Sequence, residues 1–165
     1  MTTAVEPISP SHPAFGQVAD LFDDYRAHYG LPRAERRTHD WLAAQLARQV
    51  MLVAALADGR ARGFVTAVVL PASLMLGTAW SVRDLYVAPR YRRGGVARAL
   101  LQHVADAARA IGAARVSLQT EAGNTAALAL YAAAGFEPVE GLTLLSLDLA
   151  PGEPDGQSER ASEAK

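Results

Sequence analysis

Cysteine is absent from the 165 residues of this chain, and lysine nearly so, since Lys165 is the only one. Without cysteine there can be no disulfide, no Cys-ligated zinc and no covalent mechanism through an acyl-cysteine intermediate. The phosphate-binding P-loop requires a lysine directly after its glycines, so that class of nucleotide site is excluded as well. The four histidines show no metal-ligand spacing, and we expect no metal site.

Long apolar runs and an excess of charge are missing too. No stretch reaches the length of a membrane span, and the N-terminus has no basic region followed by an apolar one. We therefore expect a cytoplasmic protein with no membrane partner. A net charge of −1 argues against a nucleic-acid partner bound by bulk electrostatics.

The composition is that of an ordinary globular protein, with 50% apolar and 20% charged residues. The length predicts a single domain, which we assign to residues 1–150. Residues 151–165 contain no large apolar side chain and are predicted to be a disordered tail.

The spacing of apolar residues predicts an α/β protein with a mixed sheet and helices on both faces. The predicted elements, in chain order, are a strand at 2–8, helices at 15–30 and 34–49, strands at 50–57, 62–70 and 79–87, a helix at 96–111, a strand at 115–120, a helix at 124–135 and a closing pair of strands at 136–139 and 143–149. The segment 71–77 is predicted to be a loop that exposes Leu74 and Met75.

One stretch predicts an anion site. The strand ending at Val87 is followed by a basic turn with two glycines, and a helix starts directly after them. The first N–H groups of a helix have no partner within it and carry partial positive charge, and glycine lets a ligand approach the backbone closely. Phosphate or pyrophosphate is the expected ligand.

Two motifs then carry a resemblance. The turn fits the pattern [RQ]-x-x-G-x-[GA], with residues Arg92, Arg93, Gly94, Gly95, Val96 and Ala97. The downstream block fits N-x-x-A-x-x-L-Y-x-x-x-G-F, with Asn124, Ala127, Leu130, Tyr131, Gly135 and Phe136. Together they resemble the GCN5-related N-acetyltransferases, the GNAT superfamily. The second half of the chain matches closely, and the first half matches only in the order of its elements.

This resemblance implies a mostly antiparallel sheet and transfer of an acetyl group from acetyl-CoA to an amine of a small molecule or a peptide. The backbone of residues 92–97 would hold the pyrophosphate, and the strand edge at Leu85, Tyr86 and Val87 would hold the pantetheine arm. Asn124 would either contact the cofactor or cap a helix. Tyr131 would protonate the leaving thiolate, unless it is simply a half-buried aromatic residue.

The base that deprotonates the amine is less well defined. Some family members have a glutamate where this chain has Arg83, so Asp84 becomes the candidate and Glu121 the second choice. Asp84 could equally be structural, paired with Arg83 or Arg90 or hydrogen-bonded to the backbone. The first two helices would line the acceptor pocket, although Tyr25 and Tyr29 lie on an apolar stripe and are expected in the core.

Two other functions stay open at this stage. The domain could sense acyl-CoA without turnover, or it could be an interaction module that binds anions through residues 90–93. The sequence leaves the oligomeric state open, with a homodimer as one option.

Overall fold

The computed structural model describes residues 3–147 and 149, and the tail predicted at 151–165 lies outside these residues. The elements are β1 (Ala4–Pro7), α1 (Phe15–His28), α2 (Glu35–Leu46), β2 (Val50–Ala57), β3 (Arg60–Ala72), β4 (Gly77–Val87), α3 (Val96–Ala110), β5 (Arg115–Ser117) and α4 (Thr125–Ala133). None of these helices is long and apolar enough to cross a membrane.

The five strands form one sheet in the order β1-β2-β3-β4-β5. The first three pairings are antiparallel, and β4 and β5 pair in parallel. The predicted mixed, mostly antiparallel sheet is therefore confirmed. Short connections join β2 to β3, at Asp58 and Gly59, and β3 to β4, which explains these two antiparallel pairs, because a parallel pair needs a longer crossover. The antiparallel strands β1 and β2 are instead joined by α1 and α2.

Each face of the sheet buries its own core. On one face α1 and α2 cover an aromatic cluster that includes Phe22, Phe64 and Tyr86. On the other face α3 packs Leu100 and Val104 onto strand residues such as Val65. Full burial of a side chain of this size contributes about 1.5–3 kcal/mol. Helices thus pack on both faces of the sheet, and the candidate site lies at the C-terminal end of β4.

The predictions for β2, β4, α1 and α3 are confirmed to within a few residues. In α2 the predicted inner residue Leu42 is buried, whereas Trp41 is 49% exposed. The turn between β3 and β4 exposes Leu74 and Met75 as predicted, although both strands extend further towards it.

The prediction of a closing pair of strands is wrong within the described residues. Residues 136–147 contain no strand, and β5 ends at Ser117 instead of Thr120. The alternating leucines of this segment have β-propensity, but propensity describes a side-chain pattern and does not provide a hydrogen-bonding partner. Leu145 and Leu147 are more than 80% exposed, so the pattern is not buried against a neighbour.

Candidate active site

A cavity opens where β4 and β5 part. The parallel pairing covers only Ala79–Ser81, whereas β4 continues to Val87. Beyond Ser81, no described strand pairs with this edge of β4. The cavity has a volume of about 900 Å³ and is lined by parts of α1, the end of β4, the loop before α3, the segment after β5, and α4.

The end of β4 forms one wall of the cavity. Leu85, Tyr86 and Val87, which the resemblance assigns to the pantetheine arm, all line it. A bulge lies just before them, because Val82 is opposite Ala67 while Asp84 is opposite Thr66. Arg83 is the extra residue, and its exposed side chain also lines the cavity. Such bulges redirect side chains and are common next to active sites.

The loop between β4 and α3 places an open helix N-terminus at the cavity. Arg93 has φ 62° and Gly95 has φ 80°, a conformation that favours glycine. Gly95 is the N-cap of α3, and no side chain caps the helix there. The predicted residues Arg92, Arg93, Gly95, Val96 and Ala97 line the cavity, and Gly94 is exposed beside them. The N–H groups of the first turn are therefore available to an anion.

Arg92 braces this loop. Its Nε donates to the carbonyl oxygen of Val87 at 2.9 Å, and its guanidinium lies 5.7 Å from the ring centre of Tyr86. The loop is thus tied to the end of β4. Arg93 lines the cavity, makes no such contact with the described residues, and places a positive charge at the wall.

The opposite wall is formed by α4. Asn124 caps this helix by accepting from the N–H of Ala127 at 3.1 Å, and it also lines the cavity, so the two readings of Asn124 are compatible. Tyr131 lines the same wall and packs on Phe136 at 6.1 Å between ring centres. Burial, with a smaller contribution from Tyr29, raises the pKa of Tyr131 above 10.0, so its phenol is protonated at neutral pH.

Asp84 is partly buried and does not line the cavity. Its carboxylate accepts from the hydroxyl of Thr66 at 2.5 Å, and its N–H donates to the same oxygen at 3.1 Å. The ion pairs among the described residues include none between Asp84 and either Arg83 or Arg90. Glu121, the second candidate base, lines the cavity itself. No group of three or more His, Asp or Glu residues in the described ranges is placed to hold a metal ion.

The end of α1 completes the cavity. Tyr25, His28 and Tyr29 line it, whereas α2 contributes no lining residue. The expectation that Tyr29 belongs to the core is wrong, since it is 58% exposed, and Tyr25 is only half buried. All five tyrosines of the chain line this one cavity. Sequence reasoning missed this convergence, because aromatic residues at helical spacing also fit a core.

Asp23, which precedes these residues on α1, is fully buried and does not line the cavity. Its carboxylate accepts from Thr38 Oγ1 at 2.8 Å, from the N–H of Ala34 at 3.0 Å and from Arg26 at 3.0 Å. Burial opposes ionisation, but these hydrogen bonds and the Arg26 charge outweigh it and lower the pKa of Asp23. The network fixes the corner between α1 and α2, and with it the tyrosines of α1.

Solved structures share this fold. A protein described as a probable acetyltransferase has a TM-score of 0.83 and 29% identity, over 90% of this chain and 99% of the other. An aminoglycoside acetyltransferase from an uncultured soil metagenomic sample, in complex with sisomicin, has a TM-score of 0.76 over 90% of this chain and 97% of the other. Its identity of 18% shows the fold alone.

Proteins of similar sequence are also named as N-acetyltransferases. The uncharacterized N-acetyltransferase YhfO of Bacillus subtilis (strain 168) is 29% identical over 80% of this chain and 89% of its own length. The ribosomal protein bS18-alanine N-acetyltransferase of Escherichia coli (strain K12) is 43% identical over 53 residues, which is 32% of this chain and only 36% of that relative's length. The model of the Acetyltransferase (GNAT) family matches residues 17–136, well over half of the chain. The chain therefore belongs to the GNAT family of acetyltransferases.

Proposed function

We propose that the protein transfers the acetyl group of acetyl-CoA to an amine of a small molecule or a peptide, by direct attack within a ternary complex. The observation that supports this most strongly is the cavity between β4 and α4. It brings an unpaired strand edge, an uncapped helix N-terminus and a half-buried phenol to one space.

Coenzyme A fits the end of the cavity formed by the loop before α3. Its pyrophosphate would accept from the N–H groups of the first turn of α3, where Gly95 has no Cβ to obstruct it. The space beside Gly95 is open, because a Cβ placed there would have no heavy atom within 4 Å. Arg93 supplies a cation beside this turn. The amides of the pantetheine arm would pair with the edge of Leu85 to Val87 that faces away from β3, as an added strand does, while the Val87 carbonyl oxygen stays bonded to Arg92.

The acetyl transfer then requires few groups. A neutral amine attacks the thioester carbonyl carbon, the tetrahedral intermediate collapses, and the C–S bond breaks. The departing sulfur takes the phenolic proton of Tyr131, which regains a proton from the attacking nitrogen through water. A raised pKa keeps this phenol in its acid form at neutral pH. General acid catalysis of this kind contributes about 10²–10⁴ in rate.

The relatives favour an amine as the acceptor. The names of the bS18-alanine and aminoglycoside enzymes both refer to amine-bearing substrates, although the similarity to the first covers only 53 residues. The acceptor would reach the thioester from the end of α1, where Tyr25, His28 and Tyr29 form the wall. A cytoplasmic location remains a prediction.

A screen of small amines and peptides against acetyl-CoA, read as free thiol, tests this function. The chain has no cysteine to add background signal. We expect thiol release that depends on one class of amine. An acyl-CoA sensor would bind coenzyme A without releasing thiol for any amine. A general anion-binding module would bind free pyrophosphate as tightly as coenzyme A.

A further inference from the structure

Asp84 is the candidate base, and Tyr25 is a neighbour of it that lines the cavity. Tyr25 lines the cavity and Asp84 does not. An acceptor amine in the cavity would therefore meet the Tyr25 hydroxyl before it meets the carboxylate.

The strand register explains this arrangement. Phe64 is paired with Tyr86, and Thr66 with Asp84, in successive cross-strand pairs on the sheet face covered by α1. The ring of Tyr25 packs on the first pair, with ring centres 6.0 Å from Phe64 and 5.8 Å from Tyr86. The Tyr25 hydroxyl is close enough to Asp84 of the second pair for the charge of the carboxylate and a side-chain hydrogen bond to act on it.

Thr66 orients the carboxylate. Its hydroxyl donates to Asp84 and accepts from the Asp84 N–H, so the carboxylate has one oxygen committed and one remaining. The phenol responds to this neighbour: burial and then the charge of Asp84 raise the pKa of Tyr25, which keeps its proton at neutral pH.

We propose that Tyr25 is a catalytic residue that relays the proton of the bound acceptor ammonium to Asp84. This inference rests on the proposed function. The ammonium nitrogen gives one proton to Tyr25 Oη while the Tyr25 hydroxyl gives its own proton to the free Asp84 oxygen. The result is a neutral amine, a neutral phenol and a protonated Asp84, which later returns its proton to solvent. The second nitrogen proton leaves only after attack on the thioester.

Asp84 is the carboxylate that acts on Tyr25 among the described residues. Its charge, together with Tyr29 of α1 and Tyr131 of α4, influences the Tyr25 hydroxyl, and Tyr86 of β4 packs on the ring. The imidazole of His28, the other base nearby, packs on Tyr29 and Tyr86.

The test is the pH dependence of turnover for Tyr25→Phe and Asp84→Asn, on an acceptor found in the amine screen. Without the relay, only amine that is already neutral in solution can react. We expect turnover to fall about 10- to 100-fold at pH 7 and the loss to disappear above the pKa of the acceptor amine. The double variant should be no slower than the worse single variant, because both remove the same step.

Phe22→Leu is the matched control, since Phe22 packs on Tyr25 at 5.7 Å and its loss disturbs the ring without removing the hydroxyl. We expect its effect on turnover to be the same at every pH. A Tyr25→Phe loss that is constant with pH, or full activity at pH 7 in a variant that melts normally, would overturn the relay while leaving acetyl transfer intact. A parent protein that acetylates no amine would overturn the proposed function and the relay together.

Discussion

Tyr131 and Tyr25 are the two phenols for which we propose proton-transfer roles, one towards the leaving sulfur and one towards the acceptor amine. Tyr131 lies on α4, beside the space where the sulfur would leave, and Tyr25 lies on α1, beside Asp84. Burial raises the pKa of both, so neither becomes a phenolate at neutral pH. Both can donate a proton, and only a neighbouring carboxylate lets one of them pass a proton on.

Tyr131→Phe should lower turnover about 10- to 1,000-fold with little change in coenzyme A affinity, because the ring and its packing remain while the acidic proton is lost. Steady-state kinetics and calorimetry measure the two effects. Phe136→Leu is the control, since it loosens the contact with Tyr131 and keeps the phenol. It should lower the melting temperature more than turnover. Parent-like turnover of Tyr131→Phe, with chemistry rate-limiting, would remove the acid role.

At this scale the sequence indicates candidate residues but not their contacts. Asp84 is a candidate base from the sequence, but its hydrogen bond with Thr66 carries no sequence signal, because strand register brings together two residues that are 18 positions apart. The bulge that exposes Arg83 was equally hidden, since an extra residue in a ladder shows only when both strands are aligned.

At the scale of elements, the junction of the basic loop with α3 is the proposed pyrophosphate site. Gly95→Glu should weaken coenzyme A binding at least tenfold, because it places a carboxylate at the N-terminus of α3, where the pyrophosphate is proposed to bind. Gly95→Asn is the control, since asparagine tolerates a positive φ better than other residues and adds no charge. Calorimetry that finds equal affinities for the glutamate variant and the parent would contradict the proposed site.

The corner between α1 and α2 makes a second prediction. Asp23→Asn should reduce the free energy of unfolding by about 1–3 kcal/mol at pH 7, because buried donors lose a charged acceptor. Folding lowers the pKa of Asp23 below its ordinary value of 3.8, so this stability is present above that pH and is lost as the pH falls further. Urea titrations should show a smaller difference in the free energy of unfolding between the parent and Asp23→Asn at pH 3 than at pH 7. Asp24→Asn, on the exposed neighbour that pairs with Arg33, should have a much smaller effect at both. A penalty for Asp23→Asn that is equal at the two pH values would contradict the role of the charge.

Whole elements were predictable where periodicity and turn residues agreed. The apolar stripe on α3 predicts a helix because one face of it is buried. The continuous apolar run of β2 predicts a strand because both faces of it are buried. The segment 136–147 shows the limit, because its alternation predicts strands that find no partner in the described structure. The tyrosines of the cavity show a second limit of prediction, since aromatic residues line a cavity as readily as they fill a core.

For the whole molecule, the proposed domain limits make a simple prediction. Deleting residues 151–165 should leave the melting temperature and coenzyme A affinity almost unchanged, because this segment has no large apolar side chain to bury. A melting temperature lower by several degrees would place part of the folded domain beyond residue 150.

Direct acetyl transfer within one cavity is best tested by the stoichiometry of a single reaction mixture. Acetyl-CoA with a deuterated acetyl group is incubated with the protein and its acceptor amine, and thiol, acetylated amine and intact protein mass are measured together. We predict one labelled acetyl group on the amine for each thiol released, with the protein mass unchanged. Thiol release without the amine, or a labelled acetyl group bound covalently to the protein as an intermediate, would contradict direct transfer.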